Sequence, residues 1–491
     1  MKKKIIFFGI ALLSLLNTGC SKYLSEDPDM RTTLDTPTKI RELLVSAYPR
    51  ASYVGFTEAA SDNAEDKGLE VGETPVNADP WKFNSVNSKD LDSPNYFWNR
   101  TYEAIAAANI AIEAYQKLPE NLRNDASILG EAYVARAFNH FMLVCLYANM
   151  YDPLTATTDP GIPYVTESGR KVVTKYERKT VAYVYDQIEK DLLAGLPLIN
   201  DAKYTVPKYH FTRAATNAFA TRFYLFKQDY AKATEYGVAA LGENVVSYLR
   251  PLNTDRWKQM EYNVKKQYFC SPDNPSNLLL SEVRSLLGRN QPGYRYGLTT
   301  ALNAALFYTG NVTGGKWPYM LYGVITNYNH AKWNEHFVYS GLQASYGQAY
   351  VTHVALTADE LILNRAEAYT YLGKYTEALR DLNQFASTKF YDNSSGVYNP
   401  DLHTITEAKV KSFYGTADLK EGIIKTILDF RRREFLFEGL RYFDILRYKI
   451  PVGHKTFDNE KEYILTANDP KRLFEMPEEV SLSGIENNPR D

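Results

Sequence analysis

The sequence predicts an all-α fold of helical hairpins that carries a large, irregular, loop-rich insert. Apolar residues recur at helical spacing in long segments before residue 250 and again after residue 356. Two helix pairs in these segments repeat one pattern of aromatic and small residues. Between them, residues 250–356 lose helical regularity and become rich in Gly, Asn, Tyr and Trp. Together these observations indicate paired helices packed against an irregular insert.

The N-terminal helices can be placed from local signals. Thr36 is a good N-cap and Pro37 is favoured at the first helical position, so the first helix is predicted to begin there. Residues 55–97 lack a sustained period and hold clusters of Gly, Pro, Asn and Asp, which predicts a long loop. Periodic apolar residues then predict helices over residues 97–115, 126–147, 180–196, 212–226 and 230–241.

Helical periodicity returns after the insert, over residues 357–371, 375–385 and 421–447, and the tail from Pro451 is predicted to be loop. The pairs at 212–241 and 357–385 resemble tetratricopeptide repeats, in which a small residue lets two helices approach and a tyrosine fills the adjacent groove. The matching positions, at one constant offset, are Tyr224, Phe226, Tyr230 and Ala233 with Tyr369, Tyr371, Tyr375 and Ala378. Because the spacing elsewhere is degenerate, we expect tetratricopeptide-like hairpins rather than a free solenoid.

The N-terminus has the layout of a secretory signal followed by a lipid attachment site. Three lysines precede an apolar run from Ile5 to Leu16, which is too short to span a bilayer. Cys20 follows Gly19, as in a bacterial lipobox, where the thiol is lipidated and becomes the mature N-terminus. Asn17 stands where that motif usually has leucine, and a plain signal peptide with an incidental cysteine is the alternative.

Five regions are expected on this basis. Residues 1–19 form a signal peptide, 20–35 a lipidated tether, 36–249 an N-terminal helical region, 250–356 a loop-rich insert that carries the ligand face, and 357–491 a C-terminal helical region. The chain has 56 basic and 58 acidic side chains with no basic stripe, which argues against nucleic acid as a partner. The remaining cysteines, Cys145 and Cys270, give no evidence for or against a disulfide.

Several short motifs occur in a family-specific order. They are YLSEDP at residues 23–28, WNRTY at 98–102, EAYVARAF at 131–138, GIPYV at 161–165 and RRREFLFEGLRYFD at 431–444. In this order they resemble the SusD/RagB family of outer-membrane lipoproteins of the Bacteroidetes. The tail departs from the family pattern, because residues 487–491 read NNPRD where the family often ends in QNPGY.

The resemblance implies a function without catalysis. It implies a surface-exposed lipoprotein of the outer membrane that captures oligosaccharide or polysaccharide and delivers it to a SusC-like TonB-dependent transporter, with no cofactor. Capture of peptide, as by RagB-type proteins, is the alternative. A lipid-anchored glycosidase or scaffold is a third reading, which a cleft holding two carboxylates free of arginine partners would favour.

Two loop regions are predicted to form the ligand face. Sugars need flat rings for their C–H faces and polar side chains for their hydroxyls, and both kinds of residue are interleaved in these segments. The family resemblance places the glycan face in the same two regions. The predicted ligand-binding residues are Trp81, Phe83, Asn84, Tyr294, Tyr296, Trp317 and Tyr319. Trp81 and Trp317 are the strongest candidates, since a bulky ring in a Gly/Asn-rich loop otherwise exposes apolar surface.

No catalytic or metal-binding residue is predicted. Glu434 and Glu438 are four residues apart on one predicted helix, but arginines three residues away are expected to pair with them and lower their pKa values. This favours a structural ion-pair helix, with Gly439 marking a close approach by a neighbour. The seven histidines show no HExxH spacing, and Asp152 with Asp159 forms an incomplete calcium ligand set.

Overall fold

The computed structural model describes residues 33–168, 176–341, 344–482 and 484–490. The predicted signal peptide, Cys20 and most of the predicted tether lie outside these residues. The N-terminal region consists of helices, several of which pack against the next helix along the chain. They are α1 (Pro37–Leu44), α2 (Val54–Ala59), α3 (Pro75–Trp81), α4 (Pro94–Lys117), α5 (Ser127–Tyr147), α6 (Val181–Gly195), α7 (Arg213–Phe226) and α8 (Tyr230–Leu241).

Local capping sets several of these boundaries. Thr36 is the N-cap of α1, where its side chain accepts a hydrogen bond from the Lys39 amide, and Pro37 is the first helical residue, as predicted. Ser93 caps α4 in the same way, so this helix begins at Pro94, three residues before the predicted start. The predicted long loop over residues 55–97 is wrong, because α2, α3 and the start of α4 lie within it. Packing against distant segments, rather than local periodicity, orders this stretch.

The insert contains a small sheet that the sequence analysis did not predict. Strands β2 (Asn277–Arg284), β4 (Glu335–Tyr339) and β5 (Gly347–Thr357) form an antiparallel sheet in the order β2-β5-β4. Two short strands, β1 (Glu65–Asp66) and β3 (Tyr296–Gly297), pair with each other and tie the insert to the N-terminal region. The helices of the insert are α9 (Asp255–Gln259), α10 (Tyr262–Phe269), α11 (Leu287–Asn290) and α12 (Thr300–Phe307).

The C-terminal region is again helical. Its helices are α13 (Ala358–Tyr371), α14 (Tyr375–Lys389), α15 (Pro400–His403), α16 (Glu407–Tyr414), α17 (Leu419–Glu434), α18 (Leu440–Arg447) and α19 (Glu478–Leu482). The tail predicted as loop contains a hairpin of β6 (Val452–Lys455) and β7 (Glu462–Leu465), which corrects that prediction. No helix in the described ranges is long and apolar enough to cross a membrane.

The two predicted hairpins are confirmed and are neighbours in space. Helices α7 and α8 pack together, as do α13 and α14, and α13 also packs against α7 and α8. Ala233 and Ala378, the small residues of the two repeats, are fully buried. The rings of Tyr230 and Tyr371, also from the repeat pattern, stack with their centroids 4.4 Å apart. The all-α fold with tetratricopeptide-like hairpins is therefore correct.

The predicted helix over residues 421–447 is two helices. The helical conformation is interrupted between α17 and α18, where Phe437 has φ 67° and Gly439 has φ 74°. Both residues occupy the left-handed region, where glycine is favoured, so the backbone turns before α18 begins. A Cβ at Gly439 would lie 2.6 Å from Thr57 Oγ1. Gly439 therefore marks a close approach, as expected, but at a helix start rather than in mid-helix.

The break changes the ion pairs expected of this segment, because it rotates the two halves relative to each other. The carboxylates and arginines are paired, but mostly with residues of other elements. The observed pairs are Arg431 with Asp444, Glu434 with Arg250, Glu438 with Lys332, Arg441 with Asp62, and Arg447 with Glu367. Arg447 also lies 3.6 Å from Asp444, three residues earlier on α18. The segment is a structural ion-pair region, as predicted, with different partners. The expected lowering of the pKa of Glu434 is wrong, because burial raises it.

The two cysteines within the described ranges are buried free thiols, so they do not form a disulfide. Burial raises the pKa of each thiol to about 12, which keeps both protonated and unreactive at neutral pH. Asp152 and Asp159 each serve a turn. Asp152 accepts a hydrogen bond from the Leu154 amide, and Asp159 accepts one from the Thr155 hydroxyl.

A buried carboxyl group on α2 gives the fold a predictable pH dependence. Burial raises the pKa of Glu58 to about 7, against the opposing effect of its hydrogen bond from the Gly439 amide. Between about pH 4 and pH 7 the folded protein holds a proton that the unfolded chain has released. The free energy of unfolding is therefore expected to fall as the pH rises through this window, by roughly 2–3 kcal/mol from this group. Urea titrations at pH 5 and pH 8 measure it.

The Glu58→Gln variant tests the assignment, because a glutamine does not titrate and the loss between pH 5 and pH 8 should shrink. Asp92 serves as an internal reference, since burial raises its pKa to about 6 and it still titrates in the variant. An unchanged difference between the two pH values in Glu58→Gln would show that Glu58 is not the group responsible.

Candidate ligand-binding site

Trp81 and Tyr296, predicted as exposed loop rings, lie in the interior. Trp81 has no exposed surface, and its indole stacks on Tyr296 with the ring centroids 4.0 Å apart. Its opposite neighbour is His454, stacked at 4.9 Å. The Trp81 Nε1–H donates to the Ala64 carbonyl at 3.1 Å. The expected exposure of both rings is therefore wrong, because they form a small core that joins α3, β3 and β6.

The other predicted residues of this region are also mostly covered. Phe83 is buried and stacks on His454, with the ring centroids 4.9 Å apart. Tyr294, two residues before Tyr296 in the insert, is also buried. Asn84 is exposed, and its backbone carbonyl accepts a hydrogen bond from Arg490 at 2.8 Å. Phe83 and Tyr294 thus do not offer a ring face to solvent. Of the predicted residues Trp81, Phe83 and Asn84, Asn84 alone is exposed.

Trp317 and Tyr319, in contrast, line an open cleft of about 540 Å³. This cleft, called the Trp317 cleft below, lies between the segment after α12 and the chain that follows α14. Its size is typical of sites that hold small ligands. Further lining residues include Lys258, Phe307, Tyr308, Lys316, Met320 and Tyr391.

A tight turn shapes one side of the Trp317 cleft. The Asn311 side chain donates to the Gly315 carbonyl at 2.7 Å and accepts from the Thr313 amide at 3.0 Å. Gly314 has φ 70°, a conformation that favours glycine. Backbone hydrogen bonds in both directions between Lys316 and Tyr391 then join this turn to the opposite wall. Backbone pairing thus fixes the two walls of the cleft relative to each other.

The floor of the cleft is aromatic and well packed. Trp317 is 5% exposed, and its ring lies 4.5 Å from Phe390 and 6.0 Å from Phe430, measured between centroids. Its Nε1–H has no hydrogen-bond partner among the described residues. The Tyr319 hydroxyl donates to the Glu434 carboxylate at 3.0 Å, and burial raises the pKa of Tyr319 well above its ordinary value. Both side chains therefore support the floor of the cleft.

The rim supplies the accessible groups. Tyr308 is 71% exposed and Met320 is 52% exposed. On the opposite wall the Lys258 ammonium lies 5.2 Å from the centroid of the Tyr391 ring and donates to the Gly396 carbonyl at 2.8 Å. A flat ring next to hydrogen-bonding groups is the arrangement that a sugar ring requires.

Two family profiles match this chain. One, described as "Starch-binding associating with outer membrane", covers residues 22–225, and the other, described as the SusD family, covers residues 357–483. The two matched segments together account for more than half of the chain. The chain belongs to the SusD/RagB family. The first description associates its family with starch binding and with the outer membrane.

Relatives of this SusD/RagB protein match along nearly its whole length. "SusD-like protein P2" of Formosa agariphila is 22% identical, over 96% of this chain and 97% of the relative. A SusD superfamily protein of Bacteroides vulgatus has a similar structure, with a TM-score of 0.68 at 18% identity, covering 94% of this chain and 99% of that one. A SusD-like carbohydrate-binding protein of the same species gives a TM-score of 0.64 at 16% identity, over 91% and 96% of the chains. These likenesses establish the fold.

The described lining of the Trp317 cleft in this SusD/RagB protein lacks the carboxylate pair of a glycosidase. Among the described residues that line it, the titratable ones are lysines and tyrosines, and no carboxylate is present. Glycoside hydrolysis ordinarily needs two facing carboxyl groups. Glu434 lies beneath the cleft, but Arg250 and Lys389 surround its carboxylate. The described residues also include no cluster of three or more His, Cys, Asp or Glu suited to a metal ion.

Tyr308 lines the cleft but is not among the seven predicted ligand-binding residues. It lies in the segment predicted to carry the ligand face, but it directly follows the apolar run of α12 and is the C-cap of that helix. A ring in that position has the periodicity of a buried residue. The Gly310 and Gly314 that follow it were the available signal, since they place Tyr308 at the edge of an irregular turn.

Proposed function

We propose that this protein is a cell-surface lipoprotein, anchored through Cys20, that captures oligosaccharide or polysaccharide and passes it unaltered to a SusC-like TonB-dependent outer-membrane transporter. The Trp317 cleft holds the glycan, with Tyr308 as the ring that stacks on a sugar. Trp317 and Tyr319 support its aromatic floor.

The exposed ring of Tyr308 beside the Trp317 cleft is the observation that carries this proposal. A tyrosine with 71% of its surface exposed loses little solvation by covering one ring face with the C–H groups of a sugar. Family membership supports the same conclusion, since the matching description names starch binding.

Replacing Tyr308 with alanine is expected to weaken binding of the preferred oligosaccharide about five- to tenfold, because one stacked ring contributes about 1 kcal/mol beyond buried area. The melting temperature should stay unchanged, since the ring is exposed. Isothermal titration calorimetry against a panel of neutral oligosaccharides, acidic oligosaccharides and short peptides measures the affinity. Tyr308→Phe should retain most of the binding.

Tyr346→Ala provides a matched control, because Tyr346 is also 71% exposed and lies on the β4–β5 hairpin, away from the Trp317 cleft. Equal losses in Tyr308→Ala and Tyr346→Ala would show that the cleft is not the binding site. Tyr308-dependent binding of peptides, without binding of any saccharide, would replace glycan capture by peptide capture.

A further inference from the structure

A second cleft, of about 410 Å³, lies apart from the Trp317 cleft and shares no lining residue with it. Five separate parts of the chain form it: the segment after α1, the first turns of α4, the residues just before α7, strand β2 and strand β5. Three arginines line it, namely Arg50, Arg100 and Arg284. This cleft, called the arginine cleft below, is unusual because the guanidinium groups of Arg50 and Arg284 have no carboxylate partner among the described residues.

The Arg284 guanidinium has no partner in the described part of the chain. It is half-buried, its Nε is inaccessible to solvent, and no hydrogen bond or ion pair to that side chain is present. The backbone amide of Arg284 donates to the Arg50 carbonyl at 3.1 Å, which holds the two residues side by side. Among the described residues, the Arg50 side chain bonds only the Ser46 hydroxyl, at 2.9 Å. Arg50 and Arg284 therefore both line the cleft without a carboxylate of the described residues within 4.0 Å.

Several buried arginines of this protein are paired with carboxylates. Arg136 forms a two-pronged pair with Asp191, Arg222 with Glu360, and Arg365 with Asp381. A partly buried cation without such a partner loses hydration and gains nothing in return. The contrast indicates that the partner of Arg284 is a group from outside the chain.

The remaining charges in the arginine cleft do not supply that partner. Glu282 is its one acidic lining residue, and the carboxylate is engaged by the Thr352 hydroxyl at 2.6 Å and by His336 at 3.1 Å. Arg100 adds a further positive charge, although Glu103 pairs with it at 2.6 Å. The His210 ring faces Glu131, at 2.7 Å. The positive charges of the cleft that have no carboxylate partner among the described residues are therefore those of Arg50 and Arg284.

Aromatic rings surround these charges. Tyr96, Tyr209 and Tyr350 line the arginine cleft, and the guanidinium of Arg100 lies 5.1 Å from the centroid of Tyr96. A guanidinium forms two parallel hydrogen bonds to a planar or tetrahedral oxyanion, and tyrosines contact sugar rings through their faces. Both features in one cleft are suited to a saccharide that carries an acidic substituent.

We propose that the arginine cleft is a second binding site, in which Arg50 and Arg284 hold the oxyanion of an acidic saccharide, a carboxylate or a sulfate ester. The part of this inference that concerns a saccharide rests on the proposed glycan capture, whereas anion binding by the two arginines does not. The cargo would then be an acidic glycan long enough to contact the protein at two places.

The test is calorimetric titration of the full mature protein with three tetrasaccharides: one of uronic acids, one bearing sulfate esters and one neutral. Arg284→Met and Arg50→Met remove the charges, and Arg213→Met, an exposed arginine outside the cleft, is the matched control. Each cleft variant is expected to lower the affinity for at least one acidic tetrasaccharide about tenfold or more, because charge-assisted hydrogen bonds are lost. The affinity for the neutral one should stay unchanged, and Arg213→Met should bind as the wild type does.

The outcomes separate the two proposals. Whether the uronic or the sulfated tetrasaccharide is the more affected identifies the source of the oxyanion. Equal affinities for acidic and neutral tetrasaccharides in wild type, or no change in both Arg50→Met and Arg284→Met, would overturn the arginine site while leaving Tyr308-dependent capture intact. If instead the arginine variants lose acidic ligand and Tyr308→Ala loses nothing, the Trp317 cleft fails and the arginine site stands. Arg50 is exposed, so Arg50→Met keeps the test valid if Arg284→Met folds poorly.

Discussion

Replacing Trp81 with alanine is expected to lower the free energy of unfolding by about 3–5 kcal/mol, the usual range for a fully buried aromatic residue. The indole is sandwiched between Tyr296 and His454 and has no exposed surface. Its removal leaves a cavity between α3 and the β6–β7 hairpin and takes away the donor to the Ala64 carbonyl. Urea titration followed by circular dichroism measures the loss directly.

Two companion variants separate the causes. Trp81→Phe keeps a ring in the stack but removes the hydrogen bond, so it should cost about 1–3 kcal/mol. Tyr346→Ala removes an exposed ring and should stay within about 0.5 kcal/mol of wild type. An unfolding midpoint that does not move in Trp81→Ala, together with lost ligand binding, would restore Trp81 as a ligand contact and refute its role in the core.

The helical hairpins could be predicted because their signal is local. A helix that buries one face repeats its apolar residues every three to four positions, and α8 therefore has the predicted bounds, Tyr230–Leu241. The repeat positions Tyr230 and Tyr371 also proved to be in contact. In each case the residues that predict the structure lie within one short stretch of the sequence.

The location of Trp81 could not be predicted in this way. The residues that bury its ring, Tyr296 and His454, lie more than 200 and more than 370 positions further along the chain. Nothing near Trp81 distinguishes a ring that a distant segment covers from a ring that faces solvent. The break between α17 and α18 had a nearby signal in Gly439, but the left-handed Phe437 that completes the turn is set by packing rather than by residue type.

The same distinction applies to the two clefts. Trp317 and Tyr319 were found because ring-bearing residues and turn formers are neighbours in that segment. The arginine cleft is assembled from Arg50, Arg100 and Arg284, which are far apart in the sequence. An unpaired guanidinium becomes visible only when every potential carboxylate partner has been placed, which requires the fold.

Replacing Lys389 with methionine is expected to cost about 3–5 kcal/mol, although methionine has nearly the same length. The Lys389 ammonium is fully buried, donates to Asp359 at 2.7 Å and to the Arg250 carbonyl at 2.6 Å, and lies 3.9 Å from Glu434. Burial already raises the pKa of Glu434, and the charge of Lys389 is one of the groups that oppose this rise. Without it, Glu434 loses one of the cations that neutralise it, and Arg250 and Lys332 remain.

The loss in Lys389→Met should depend on pH in a defined direction. Removing the cation raises the pKa of the folded Glu434 carboxyl group further, so the variant holds a proton that its unfolded chain has released. Its deficit relative to wild type should therefore be larger at pH 8 than at pH 5. Lys374→Met, at the exposed turn between α13 and α14, controls for the loss of one surface charge and should be near neutral. A deficit that is the same at both pH values would mean that shape, rather than charge, is what Lys389 supplies.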